Sequence, residues 1–106
     1  MCFLDVSVKD VGGTCTPVVT PDPLNVPEPR NLHWRLVQDG YRFAAADAIK
    51  FKDAGNDQFV NCNRPNDRLF ICHDRKTKSG AYRYGVNLVR TSDNRPCSVD
   101  PVIFNL

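Results

Sequence analysis

AYRYGVNLVR, residues 81–90, sets Tyr82, Tyr84, Val86 and Leu88 against Arg83, Gly85, Asn87 and Val89. Successive side chains of an extended chain point to opposite faces, so this period of two reads as a half-buried β-strand. NLHWRLV (31–37) repeats the pattern, with Leu32, Trp34 and Leu36 against His33, Arg35 and Val37. FLDVSVK (3–9) alternates Leu4, Val6 and Val8 with Asp5, Ser7 and Lys9, and Asp10-Val11-Gly12-Gly13 ends it. RLFICHD (68–74) is a further strand. SVDPVIFN (98–105) reads as the last one, and TPVVT (16–20) and NDQFV (56–60) as shorter ones.

Turn residues punctuate these runs. Asp39-Gly40 predicts a tight turn and YRFA (41–44) its return, a hairpin by sequence. RPND (64–67), KTKSG (76–80) and TSDNRP (91–96) are further turns or loops. AAADAIKFKDAG (44–55) is the one helix candidate, and a strand through Ile49 and Phe51 or a single helical turn fits it equally well. Composition agrees: eleven Asp against one Glu, with nine Asn, supply turns rather than helix interiors. The expectation is an all-β, antiparallel sandwich of about seven or eight strands with little or no helix, forming a single domain over residues 1–106. Trp34 on an early central strand, followed by Gly80-Ala81-Tyr82-x-Tyr84 near the C-terminus, resembles the layout of an immunoglobulin-like sandwich. The core disulfide usual there has no counterpart, because Tyr84 occupies the position of its second cysteine.

TPDPLNVPEPRNLHW (20–34) places prolines at 21, 23, 27 and 29. Their spacings of two, four and two leave no PxxP, so a polyproline ligand fits poorly. Proline lacks a donor and cannot lie in a central strand. The segment is therefore expected to run extended along a sheet edge, with Val26 buried and Asp22 and Glu28 partly exposed. Asp22-Pro23 and Glu28-Pro29, followed by LHWRL, resemble the signature of the DP-EP family of small uncharacterised bacterial proteins. That resemblance implies a β-sandwich and brings no catalytic residue, and the terminal DPVIFN is similar to the last strand of several bacterial immunoglobulin-like domains. The two acids either form a contact site or cap backbone amides, and the capping account is preferred.

The five cysteines (2, 15, 62, 72 and 97) show no CxxC spacing. No basic-then-apolar leader precedes the charge at Asp5. Both features predict free thiols and a cytoplasmic protein, with Cys62–Cys72 the first pair to check for a bridge. No run is long enough to cross a bilayer as a helix.

Chemistry is sparse. His33 and His73 are the only histidines, and Cys72 and His73, adjacent on a strand, face opposite ways. Asp53 starts no calcium loop, because Gln58 and Arg64 stand where glycine and glutamate are required. No catalytic residue, metal ligand or cofactor is expected. Between Arg64 and Arg83 the cations Arg64, Arg68, Arg75, Lys76, Lys78 and Arg83 outnumber Asp67 and Asp74, and a solvated turn, DRKTKSG, is the preferred reading over a basic face. The favoured function is a non-enzymatic module that binds another protein or itself, through Asp22, Glu28 and Arg30 or through Arg75, Lys76 and Lys78. A single-stranded nucleic-acid binder using residues 64–83 and a cysteine-dependent enzyme using Cys62 or Cys72 rank below it.

Overall fold

The computed structural model describes residues 2–52 and 57–106. Two sheets pack face to face, as the alternation predicts. One has the order β2-β1-β4-β8-β7, from β1 (Cys2–Val11), β2 (Thr14–Thr20), β4 (Arg30–Leu36), β7 (Phe59–Asn66) and β8 (Leu69–Asp74). The other is centred on β9 (Gly80–Arg90). It contains β3 (Leu24–Val26), β5 (Tyr41–Phe43), β6 (Ile49–Phe51), β10 (Arg95–Val99) and β11 (Val102–Asn105). The expected fold class stands, with more and shorter strands than counted from the sequence.

The inward faces are those the period of two selects. Leu4, Val6, Leu32, Trp34, Tyr84, Val86 and Leu88 are all buried between the sheets, while Phe3, Arg35 and Arg83 face outward. Full burial of each large apolar side chain contributes about 1.5–3 kcal/mol. Trp34 is the hub, with Tyr84 at 5.5 Å and Phe51 and Phe70 both at 6.3 Å between ring centroids.

Three local expectations need correction. YRFA does not return alongside NLHWRLV: β5 pairs with β9 in the other sheet, Tyr41 opposite Arg90. The Asp39-Gly40 turn, with Gly40 at φ +88°, therefore carries the chain across the sandwich. SVDPVIFN is two strands, β10 and β11, interrupted at Asp100-Pro101. Both follow one register on β9, from Arg95 opposite Arg90 to Asn105 opposite Gly80. Proline 101 donates no ladder bond, yet its carbonyl accepts from the Tyr84 amide at 3.1 Å and bridges the break. Finally, the ladder is mixed, because β1 runs parallel to β4 and β3 parallel to β11.

Within the helix candidate, Ile49–Phe51 form the strand β6, and residues 53–55 lie outside the described residues. The rejected calcium loop at 53–57 lies outside the described residues except for Asp57. RPND joins β7 through Asn66, and the turn tightens at Asp67-Arg68. β7 pairs with β8 through register shifts between Val60 and Asn63 and between Asn63 and Asn66, which mark β-bulges.

The Pro-rich stretch behaves as the edge segment expected. Leu24 and Val26 are buried and pair with Ile103 and Asn105. Flanking prolines keep the strand to three residues.

The expectation of five free thiols is overturned. Cys15 on β2 is bonded to Cys97 on β10, joining the two sheets, and Cys62 on β7 to Cys72 on β8; Cys2 is free. The first pair lies 82 residues apart in sequence. Such proximity is created by topology and leaves no motif in the chain.

Candidate functional site

Strand parity puts two polar groups where apolar ones are usual, and a third joins them from a turn. On β8 the inward series that contains Cys72 ends in Asp74, and on β11 the series that contains Ile103 ends in Asn105. Both meet Gln58, just before β7, at one pole of the sandwich. All three are buried, at 0%, 3% and 2% exposure. Buried polar groups stay only if bonded, and these three bind one another and the loop that follows β8. Asn105 Nδ2 donates to Asp74 Oδ1 at 3.1 Å and to Gln58 Oε1 at 3.4 Å.

The loop Arg75–Ser79 is pinned from below by its own amides. The Arg75 amide donates to the Gln58 carbonyl (2.8 Å) and that of Lys76 to Asp74 Oδ1 (2.9 Å). The Thr77 and Lys78 amides both donate to Gln58 Oε1, at 2.9 and 3.0 Å. From the far side, the Tyr82 hydroxyl donates to the Lys78 carbonyl at 3.0 Å. Lys76 sits at φ +48°, a left-handed conformation that costs a non-glycine residue about 1 kcal/mol. The bond to Asp74 holds it there.

With every amide from 75 to 78 directed inward, and Thr77 Oγ1 accepting from Gln58 Nε2 at 2.8 Å, the outward-facing charge comes from Arg75 and Lys78, with Lys76 half-buried between them. Arg75 Nη1 reaches only the Asp57 carbonyl, at 3.3 Å. Arg75, Lys76 and Lys78 form no salt bridge among the described residues. Three of the six sequence-predicted site residues thus form one cationic loop on a fixed base.

The other three are occupied. Glu28 Oε1 pairs with Arg30 Nη2 at 3.2 Å, near the same pole, because Arg30 lies directly opposite Asp74 in the β4–β8 register. Asp22, at the opposite end of β3, accepts the Val102 amide at 3.1 Å. Capping therefore describes Asp22, and an internal ion pair describes Glu28.

Burial pushes the Asp74 carboxyl above the ordinary aspartate range; its bonds from Lys76 and Asn105 and the charges of His73 and Lys76 pull it partly back. Among the described residues, Asp74 Oδ2 and Asn105 Oδ1 are buried with no hydrogen-bond partner. The knot escaped the sequence reading, although its signal was present: Asp74 and Asn105 continue the inward parity of their strands.

A second feature is the outer face of the first sheet. Phe3, 42% exposed, lies 5.2 Å from the His33 ring, and the Arg35 guanidinium stands 4.6 Å over it while pairing with Asp5. Those charges are satisfied locally. His73, on the same face, is bonded to Asn31 at 2.7 Å. Cys62 and Cys72 hold each other and present no thiolate. Among the described residues no group of three histidines, cysteines or acids could hold a metal ion, and no helix is long and apolar enough to cross a membrane.

No protein-family model matches the chain, and no curated protein matches it as a relative. Fold and site together define a class and no more: an all-β, two-sheet sandwich with a rigid cationic loop at one pole.

Proposed function

We propose that this protein is a non-enzymatic interaction module that binds an acidic segment of another protein through Arg75, Lys76 and Lys78. The observation that carries the reading is the loop's construction: its amides are bound inward, so three cations that form no salt bridge among the described residues are presented without further ordering. Preorganisation removes part of the entropy cost of association. Each exposed charge pair is worth about 0.2–1 kcal/mol, so the three together favour an acidic partner by roughly 3- to 160-fold. The contact is accordingly salt-sensitive.

Two observations weigh against the other readings. Base stacking on a single strand needs an exposed ring beside the cations, and Tyr82 and Tyr84 are buried. Self-assembly by strand addition needs a regular free edge. Pro17 removes a backbone donor within β2, prolines flank β3, and bulges distort β7. The resemblance to the DP-EP family is kept as a proposal, with Asp22-Pro23 and Glu28-Pro29 in structural roles. Two disulfides favour an oxidising compartment over the cytoplasmic one expected from the sequence.

The test is fluorescence anisotropy with a labelled oligo-glutamate peptide and a single-stranded oligonucleotide of equal charge. Wild-type protein should bind the peptide, and the Arg75→Gln/Lys76→Gln/Lys78→Gln protein should lose that binding while melting normally. Tighter binding of the oligonucleotide would transfer the site to nucleic acid. Unchanged binding by the triple variant would remove the loop from the account.

A further inference from the structure

The knot under the loop contains a pair of atoms that the loop's chemistry leaves unexplained. Asp74 and Asn105 are already joined by Nδ2–H to Oδ1 at 3.1 Å. Their other two oxygens, Asp74 Oδ2 and Asn105 Oδ1, are both buried acceptors without a donor. A carboxyl and a primary amide joined through one N–H···O bond have a natural second bond between their remaining oxygens. It forms only if one of them carries a proton, and a carboxylic acid has that proton to give.

We propose that Asp74 is held as the neutral acid in the native protein, donating its Oδ2 proton to Asn105 Oδ1, and that releasing this proton to solvent loosens the Arg75–Lys78 loop.

The charges of Lys76 and His73 favour the ionised form, but burial outweighs them, and the remaining neighbours offer Asp74 no counter-ion. Arg30, directly opposite on β4, is the obvious counter-ion, yet its Nη2 is paired with Glu28 and its Nε, buried, forms no hydrogen bond to Asp74. Phe59, opposite on β7, is apolar. Asp57, one residue before Gln58, adds negative charge to the same region, and Tyr82 on β9 is neutral with its hydroxyl bound to Lys78. His73 is turned to the outer face, bonded to Asn31. Lys76 gives Asp74 its amide, and Arg75 contacts Asp57. No ion pair with Asp74 forms among the described residues. An ionised Asp74 would be a buried charge facing a second lone pair, and relief requires water to enter beneath residues 75–78. Burial shifts the group in the direction this account needs. The inference goes beyond the binding reading and holds whatever the loop binds.

The experiment is carbon-13 NMR of the Asp74 carboxyl in the intact protein from about pH 3 to about pH 8, with Asp74→Asn as the paired variant. Asparagine copies the neutral acid, because its Nδ2 can donate to Asn105 Oδ1. The expected result is an Asp74 resonance that stays at the neutral-acid position well past the ordinary carboxylate range. Amide protection at 76–78 should fall as the carboxyl ionises. Asp74→Asn should melt at or above wild type at neutral pH and lose that pH dependence. Titration near the ordinary value of about 3.9, or a lower melting temperature for Asp74→Asn at neutral pH, would overturn the proposal. So would calcium chloride raising the melting temperature of wild type but not of Asp74→Asn, since Asp74 would then serve as a charged metal ligand.

Discussion

Trp34 Nε1, on the first sheet, donates a 3.1 Å hydrogen bond to the Tyr84 hydroxyl on the second, and the two rings meet edge-on at 5.5 Å. Both residues are fully buried. The bond thus satisfies the indole donor where water cannot reach it. Tyr84→Phe keeps the ring but orphans that donor, at a cost of about 1–3 kcal/mol. Trp34→Ala removes the hub and costs about 3–5 kcal/mol. Denaturant unfolding checks both, and a negligible loss in the second would place Trp34 outside the core.

The cysteine pairing is countable. Alkylation of the unfolded, unreduced protein should label Cys2 alone, and five sites after reduction. Replacing Cys15 and Cys97 together should cost about 2–5 kcal/mol, because that bond closes a long loop across the two sheets. Five labels without reductant would contradict the pairing.

Lys76 separates charge from conformation. Glycine accepts its positive φ without strain, so Lys76→Gly should leave stability within about 1 kcal/mol of wild type. Lys76→Val, β-branched at the same φ, should lose about 1–2 kcal/mol. Peptide binding should weaken equally in both, since both remove the charge. Unequal weakening, in step with stability, would mean the loop's shape rather than its charge makes the contact.

His33 gives a pH dependence of definite sign. Burial lowers its pKa below the ordinary 6.5, and its Nε2 is buried without a partner. The unfolded chain therefore takes up this proton first as pH falls. Stability attributable to His33 is complete above about 6.5 and is lost as pH drops from there through the lowered native value. Thermal melts of wild type and His33→Gln should converge in acid and diverge above that window. Parallel curves would show that His33 titrates alike in both states.

Much of the fold is legible in the chain, because the period of two in residues 3–9, 31–37 and 81–90 fixes which side chains face the core. The Pro-rich edge is legible for a related reason, since missing donors exclude a central strand. What escapes is non-local. Asp39-Gly40 signals a turn but not the sheet to which the chain returns, and Cys15 and Cys97 meet only because β2 and β10 adjoin. The cations of the loop are visible in sequence. Their rigidity is not, because it depends on Gln58, Asp74 and Asn105 converging from three separate segments.

The central claim, that residues 75–78 form a preset cationic contact, is tested most directly by proton–nitrogen NMR during titration with an oligo-glutamate peptide. The account predicts shifts concentrated on the Arg75–Lys78 amides that shrink as salt is raised. Shifts centred on the Phe3 and Arg35 face, or loop shifts indifferent to salt, would contradict it.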